Sequence, residues 1–256
     1  MVFVYLLRRR MTLGGRYHLL ALTALLGGTA CLAHADDFSV DIPDIEAHEL
    51  SVESSMAYEL DKSGDTRKDN YFSHVDGITY GLNDHWEFTL SGEFEKYSSH
   101  QQKLTYTHFE GKYVPFKPGA LPVDVGFGIK YSHAMYSNQP DNGELHLLLH
   151  RNLGPLSLAG NIITSREFGP DRSGGWSGGG AAQISYPIND YLTPGIEYYA
   201  DVGPFSHMPS YQQQGHMLGP AVQGEWHGLS YDTGVLFGIS HSAPDATVKL
   251  NIGYTF

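Results

Sequence analysis

Acidic side chains recur at every second position in several segments of this chain. Glu87, for example, lies between Trp86 and Phe88. In a β-strand this alternation places carboxylates on one face and apolar side chains on the other. Carboxylates along a narrow aqueous path concentrate cations and repel anions, which predicts a cation-preferring lumen. The alternative is a plugged interior whose charges pair with one another. The predicted lumen-lining residues are Glu53, Glu87, Glu93, Asp124, Lys130, His146, His150, Glu197, Glu225, Asp232 and Lys249.

Histidine is the second residue type that could carry chemistry, because twelve of the 14 histidines follow residue 35. His146 and His150 share one face of a predicted strand. Four residues along a strand separate them by ~13 Å, whereas metal ligands converge at about 2.0–2.2 Å from the ion. One ion would therefore need further ligands from neighbouring strands. We predict no metal site and no cofactor.

Two pairs of serine and histidine suggest a lipid enzyme as an alternative. They are His241-Ser242 in the last predicted loop and Ser206-His207 in the loop before it. Barrel hydrolases use a serine, a histidine and an orienting polar residue. Adjacent residues on a strand face opposite ways, and neither pair lies in an acyl-hydrolase motif. We predict no catalytic residue and no enzyme activity, and keep a lipid hydrolase or acyltransferase as an alternative.

The final segment, Ala246 to Phe256, alternates apolar and polar side chains throughout. It resembles the closing strand of bacterial outer-membrane β-barrels, whose aromatic terminus the assembly machinery recognises. The resemblance implies that Tyr254 and Phe256 form the assembly signal. It also implies that the apolar face contacts lipid.

About twelve segments have strand character, and the connections between them alternate in length. Short turns such as 82–85, 153–155 and 227–228 alternate with longer polar links. Outer-membrane barrels have even strand numbers, with short turns on the periplasmic side and long loops outside. If the barrel is plugged by a loop, the candidates are Arg166–Trp176 and Gly203–Gln213. For the segments 70–82 and 103–114, the sequence does not show which side chains face inward and which face outward.

The N-terminus has the features of an export signal. Four arginines precede a short apolar run, and Ala33-His34-Ala35 predicts cleavage before Asp36. The prediction is a signal peptide over 1–35, a periplasmic leader over 36–47 and a transmembrane barrel over 48–256. A lipoprotein signal would use Cys31, but Gly28 replaces the apolar residue that such a signal requires. Loss of the four arginines changes the net charge from −12 to −16, which excludes nucleic acid as a partner.

A short motif adds a family resemblance. Tyr80 to Phe88 reads Y-G-L-N-D-H-W-E-F and resembles a strand turn of outer-membrane barrels of the transporter or MetA-pathway phenol-degradation type. The segments 218–221 and 235–239 resemble the last hairpins of that group. The resemblance implies a barrel that moves small, often hydrophobic compounds.

These observations predict an all-β protein: a transmembrane antiparallel up-and-down β-barrel of about twelve strands that follows a cleaved signal peptide. We expect it in the bacterial outer membrane, with lipid, the assembly machinery and small solutes as partners. The predicted role is passive transport or binding of small solutes through an acidic lumen. The alternative is a non-conducting structural barrel or an outer-membrane lipid-modifying enzyme.

Overall fold

A computed structural model describes residues 38–61, 70–97 and 101–256 of the chain. The predicted signal peptide and the first residues of the predicted leader lie outside these ranges. The described residues form twelve strands: β1 (Leu50–Leu60), β2 (Tyr71–Asn83), β3 (Trp86–Lys96), β4 (Lys103–Tyr113), β5 (Asp124–Ala134), β6 (Asp141–Leu153), β7 (Leu156–Phe168), β8 (Ser177–Ser185), β9 (Thr193–Pro204), β10 (Gly215–Trp226), β11 (Leu229–Gly238) and β12 (Ala246–Thr255).

Each strand pairs antiparallel with its neighbours in the sequence, and β1 pairs with β12 to close the sheet. The closing register runs from Ser51 opposite Thr255 to Leu60 opposite Ala246. Closure leaves no sheet edge, so every strand has hydrogen-bonding partners on both sides. The predicted all-β, up-and-down, twelve-stranded barrel is confirmed.

Side-chain burial on the barrel is the reverse of that in a soluble protein. Lys249 on β12 is completely buried, whereas Val248 beside it is 45% exposed. Alternation along each strand produces this contrast, since successive side chains point inward and outward. Large apolar side chains cover the outer face. Examples from five strands are Ile78, Leu90, Ile129, Ile162 and Ile196, all more than half exposed. A lipid-facing wall has this composition.

The two segments with ambiguous faces depart from simple alternation. In β4, Glu93 of β3 pairs with Tyr106 and Phe94 pairs with Leu104, so Thr105 forms a bulge. The bulge leaves both Thr105 and Tyr106 buried and shifts the period of two. In β2 the alternation is regular, but Val75 faces inward and Asp76 faces outward. A prediction from side-chain polarity would therefore place Val75 outside and Asp76 inside, the reverse of their positions in the structure.

Connections at the two ends differ in length, with two exceptions. Two-residue turns join β2 to β3, β6 to β7 and β10 to β11, and longer loops lie at the opposite end. We call these the turn end and the loop end. The exceptions are 114–123 and 186–192, which lie at the turn end although they contain ten and seven residues. Neither loop proposed as a plug fills the interior, since Trp176, Phe205 and Tyr211 are exposed.

Within residues 38–61, 70–97 and 101–256, the helical content is two short 3₁₀ turns, Phe205–His207 and Tyr211–Gln213, both in the loop before β10. None of the helices among the described residues has the length and apolar character required to cross a bilayer.

Candidate functional site: an acidic lumen and its N-terminal plug

The segment that precedes β1 lies inside the barrel. We call Phe38–Asp44 the plug segment. Its sequence alternates the apolar Phe38, Val40 and Ile42 with the polar Ser39 and Asp41, as in a strand. It contacts side chains from strands all around the barrel, namely Lys112 of β4, Asn161 of β7, Tyr199 of β9, Asp232 of β11 and Asn251 of β12. This segment belongs to the predicted periplasmic leader over 36–47, and its sequence predicts none of these contacts.

Asn161 holds the plug segment by a reciprocal pair of hydrogen bonds. The backbone N–H of Asp41 donates to Asn161 Oδ1 at 2.7 Å, and Asn161 Nδ2 donates to the Asp41 carbonyl at 2.7 Å. A side-chain amide has the same donor and acceptor as a peptide group, so Asn161 satisfies Asp41 as a neighbouring strand would. One residue thus fixes the position of the segment along the barrel axis.

An ion pair adds a second attachment. Lys112 Nζ lies 3.4 Å from Asp41 Oδ1 and 3.1 Å from Glu87 Oε1, and it also donates to the Asp44 carbonyl at 3.4 Å. Burial raises the pKa of Asp41 to about 6, although the Lys112 ammonium opposes the rise. Burial likewise raises the pKa of Asp44 to about 6. Docking of the plug segment is therefore linked to proton uptake.

Apolar packing provides the third attachment. The Phe38 ring meets the Tyr199 ring edge-on, with centroids 5.3 Å apart. Phe38 and Val40 belong to a buried interior cluster with Met217 and Leu236. Aromatic pairs of this kind are worth about 0.5–1.5 kcal/mol beyond the area they bury. The interior thus has an apolar patch beside its charged groups.

Two inward-facing glycines provide room for this part of the chain. A Cβ at Gly126 of β5 would lie 2.8 Å from Pro43 Cβ, and a Cβ at Gly81 of β2 would overlap the Glu46 carbonyl oxygen. The backbones also pair at Gly81, since the His48 N–H donates to the Gly81 carbonyl at 2.7 Å. The wall and the entering chain are therefore fitted to each other near the turn end.

The interior charges next to the plug segment form a compact network around Lys249. Its ammonium contacts the Glu197 carboxylate and lies 2.7 Å from Asp232 Oδ2. Gln183 Nε2 and the Tyr199 hydroxyl also donate to Glu197, at 2.7 and 2.9 Å. The two carboxylates and one ammonium leave this network with an excess negative charge. Ser39 of the plug segment donates to Asp232, so the plug and the network are in direct contact.

Other inward-facing acids pair with histidine and lysine. His146 Nε2 lies 2.9 Å from Glu144 Oε2, whereas His150 Nδ1 lies 3.6 Å from Asp124 Oδ2. The two histidines thus have separate carboxylate neighbours. Elsewhere, Lys130 lies 3.9 Å from Glu110, and His108 lies 3.9 Å from Glu93. Over the part of the chain that the structure describes, no three histidine, cysteine or acidic side chains converge as metal ligands would.

A cavity of about 280 Å³ opens at the turn end, between the chain entering the barrel and the ends of β1, β11 and β12. Its lining includes Glu46, Glu49, Glu53 and Glu225, together with the C-terminal Phe256. This cavity adds carboxylates to the interior at the turn end of the barrel. The predicted lumen residues Glu53 and Glu225 lie here rather than beside the Lys249 network.

Most of the residues predicted to line the lumen are deeply buried, and the structure brings only some of them together. Glu197, Asp232 and Lys249 meet in one network, whereas Lys130 lies elsewhere. Their role in lining a path for solutes stays a prediction. Lys112 and Asn161 were missed because β4 has an ambiguous face and because an asparagine carries no charge. The alternation of Phe38 to Ile42 was the signal that could have identified the plug.

The two residues of the predicted assembly signal lie together on the outside of the barrel. Tyr254 is exposed on β12, and its ring centroid lies 4.9 Å from that of Phe256. The Phe256 N–H donates to the Leu50 carbonyl, so the terminus is held against the first strand. Recognition by assembly machinery stays a prediction.

Comparison with known proteins identifies the fold. No family model and no curated protein matches the sequence. Among solved structures, the KdgM porin is similar, with a TM-score of 0.54 at 13% identity over 80% of this chain and 99% of that chain. The NanC porin is similar with a TM-score of 0.53 at 12% identity, over 81% of this chain and 98% of that chain. At these identities the likeness establishes a shared barrel fold.

Proposed function

We propose that this protein is an outer-membrane barrel that passes small solutes, with a preference for cations, through an acidic lumen. The observation that carries the proposal is the charge of the interior. Among the described residues, the buried lysines are Lys112, Lys130 and Lys249. Buried acids are more numerous: Asp41, Glu59, Asp61, Glu87, Glu93, Glu95, Glu144, Glu167, Glu197 and Asp232. Fixed negative charge in a low-dielectric wall favours cations over anions.

The plug segment gives this barrel a closed form. Its contacts with Asn161, Lys112 and Tyr199 place chain across the interior, so passage of solute requires the segment to move. These attachments are a few hydrogen bonds, each worth about 1 kcal/mol, together with the Lys112 ion pair and the burial of Phe38 and Val40. Displacement of Phe38–Asp44 is therefore the step that we expect to open the path.

Export and location belong to the same proposal. Cleavage before Asp36 would leave only two residues ahead of Phe38. The mature N-terminus would then belong to the plug. N-terminal sequencing of the protein from outer-membrane fractions tests this, and a sequence that begins well before or after Asp36 would contradict it.

The experiment that tests the function is a planar-bilayer recording of the mature protein in a potassium chloride gradient. We expect rare openings in the wild type, frequent openings in Asn161→Ala, and a reversal potential that indicates cation preference in both. Asn152→Ala is the matched control, because Asn152 is exposed near the turn between β6 and β7. Anion preference, or silence of both the wild type and Asn161→Ala after correct folding is verified, would contradict the proposal.

The alternative is a non-conducting barrel, and the close fit of Pro43 to Gly126 and of Glu46 to Gly81 favours it. In that case the interior charges serve stability alone. The resemblance to the phenol-degradation group adds small hydrophobic compounds as a class of solute, and the apolar patch around Met217 and Leu236 is compatible with them. Uptake of a phenol into liposomes that contain the wild type or Asn161→Ala would distinguish a non-conducting barrel from one that passes small hydrophobic compounds.

A further inference from the structure

Side chains of the barrel wall hold the plug segment in place. The Asn251 amide donates to the Phe38 carbonyl at 3.2 Å, and the Ser39 hydroxyl donates to Asp232 Oδ2 at 3.4 Å. The two wall residues belong to β12 and β11, whose positions are fixed by pairing within the closed sheet. The wall therefore keeps these hydrogen-bonding groups when the plug segment leaves, and another molecule can use them.

Asn161 recognises the backbone of the plug segment rather than a particular side chain. The N–H and the carbonyl that it contacts both belong to Asp41, at 2.7 Å each. In an extended chain the N–H and C=O of one residue point to the same side, as they do in a hydrogen-bonded pair of an antiparallel sheet. Asn161 therefore selects an extended peptide. It is only 6% exposed, and a buried amide without a partner is costly, so the site favours being occupied.

Other wall groups select the side chains of the bound peptide. Lys112 Nζ lies 3.4 Å from Asp41 Oδ1, and the Tyr199 ring meets the Phe38 ring edge-on with centroids 5.3 Å apart. Val40 lies in the same buried apolar cluster as Phe38. The aromatic and the acidic residue are three positions apart, which is about 10 Å in an extended chain. The wall thus matches an aromatic, a hydroxyl, an apolar and an acidic residue, in that order.

We propose that this part of the lumen is a binding site for short extended peptides, and that the plug segment occupies it as the chain's own ligand. The ligand class is a peptide with an aromatic residue three positions before an acidic one and a hydroxyl residue directly after the aromatic one. The acid of the ligand meets the Lys112 ammonium, so the acidic interior does not exclude it. This inference deepens the proposed transport function and rests on it in one respect, since a peptide in solution reaches the site only after the plug segment moves.

The plug segment competes with a peptide in solution because it is tethered to the barrel. A short connection gives a tethered ligand an effective concentration in the millimolar range. The connection here is short, since the plug segment ends at Asp44 and β1 begins at Leu50. A free peptide with the same contacts should therefore bind the wild type weakly. The double variant Phe38→Ala, Val40→Ala weakens the tethered ligand in the full chain and leaves every wall residue unchanged.

The test measures binding of a dye-labelled peptide with the sequence of residues 38–44, Phe-Ser-Val-Asp-Ile-Pro-Asp, by fluorescence anisotropy. The protein is the full mature chain in detergent micelles, as the wild type and as the double variant. We expect saturable binding to the double variant, at least about tenfold tighter than to the wild type, because the tethered segment competes less. Protease cleavage of the N-terminus verifies that the segment has left the lumen.

A second peptide, Asp-Ser-Val-Phe-Ile-Pro-Asp, is the matched control because its composition and net charge are the same. It should bind at least about tenfold more weakly, since its ring and its carboxylate meet the wrong wall groups. In the double variant, a further Asn161→Leu change should weaken binding of the first peptide by about tenfold or more through the loss of two hydrogen bonds. Asn152→Leu, at an exposed position near the turn between β6 and β7, should leave the affinity unchanged.

Equal binding of the two peptides, or an unchanged affinity in Asn161→Leu, would mean that the peptide adheres to the barrel without a specific site, and would overturn the proposal. Absence of saturable binding would also overturn it. Gly126→Val, which displaces the plug segment by crowding Pro43, is the second variant in which this absence is checked.

The binding measurement needs no current, so the peptide site can fail in a barrel that conducts. In planar bilayers, the first peptide should shorten the openings of the double variant and the control peptide should not. A barrel that binds the first peptide selectively but never conducts would contradict the transport proposal and leave the peptide site supported.

Discussion

Lys249 of β12 has no exposed surface, whereas the outer-wall residue Asp76 of β2 has an exposed carboxylate. Lys249 is surrounded by Glu197, Asp232 and the Tyr199 hydroxyl, so its charge is neutralised and its donors are used. Asp76 lies 2.9 Å from His74 Nε2, which also contacts Ser54 Oγ. The enclosed network contacts the plug segment through Ser39 and Phe38, whereas the cluster on the outer wall is partly exposed. The difference shows that the interior charges of this barrel are surrounded by partners, whereas a polar group on the outer wall has fewer.

The largest expected effect comes from removing the ammonium of the enclosed network. Lys249→Met leaves Glu197 and Asp232 buried without their cation. Breaking a buried pair in this way costs about 3–5 kcal/mol. Urea unfolding in lipid vesicles, followed by tryptophan fluorescence, measures the change. Lys96→Met on the exposed end of β3 is the control and should change stability by less than about 0.5 kcal/mol. Equal effects of the two variants would remove the distinction between enclosed and open charges.

A charge placed on the middle of the outer wall should have the next largest effect. Ile129 lies at the centre of β5, faces outward and is 59% exposed. Arg at a lipid-facing midplane costs about 2–4 kcal/mol, so Ile129→Arg should destabilise the protein in vesicles by that amount. Ile129→Val is the control. A stable Ile129→Arg variant would mean that water rather than lipid covers this wall.

Crowding the plug segment should have a smaller effect on stability and a clear one on opening. Gly126→Val puts a side chain against Pro43, which costs about 1–3 kcal/mol if the segment stays in place. We therefore expect the plug segment to leave the lumen and the open probability in bilayers to rise. Gly160→Ala on β7 is the control, since the nearest atom to its new Cβ lies 3.8 Å away. Unchanged gating in Gly126→Val would argue against the plug as the barrier.

The smallest expected effect is a pH dependence of plug docking. The pKa of Asp41 is 3.8 when free and about 6 when docked, so docking takes up protons between these values. Docking is therefore strongest below pH 4 and weakens as pH rises to about 6. Lys112, Glu87, Glu110 and His146 are the charged groups that face Asp41 and modulate this change.

Protease digestion of the released N-terminus at pH 4.5 and pH 7.5 measures this docking. The wild type should be cut faster at pH 7.5 than at pH 4.5. The ratio of these two rates should exceed the ratio that the same protease shows on a control peptide. Asp41→Asn should reduce the difference, and Asp44→Asn should do the same, because both carboxyls have a raised pKa. A plug that is released at low pH would reverse the sign and contradict the linkage.

The faces of most strands were predictable because alternation is a local property. In β3, Glu87 and Glu93 are buried, and Trp86 and Leu90 are exposed. The prediction of inward and outward faces failed where pairing between strands, rather than local sequence, determines the direction of a side chain. Thr105 forms a bulge only because β3 and β4 pair with a shifted register. The ten-residue connection 114–123 also lies at the turn end, contrary to the alternation of lengths.

From the sequence alone, about twelve strands and an apolar outer face could be predicted, with acidic side chains at many of the alternate positions. Period-two alternation and chain length are enough for these, because a strand that is polar on one side must separate two environments. The sequence could not show that Phe38–Asp44 lies inside the barrel, that Lys249 pairs with Glu197 and Asp232, or that His74 contacts Ser54 and Asp76 on the outer wall. These contacts join residues on different strands, and barrel closure and register, rather than any local pattern, bring them within hydrogen-bonding distance.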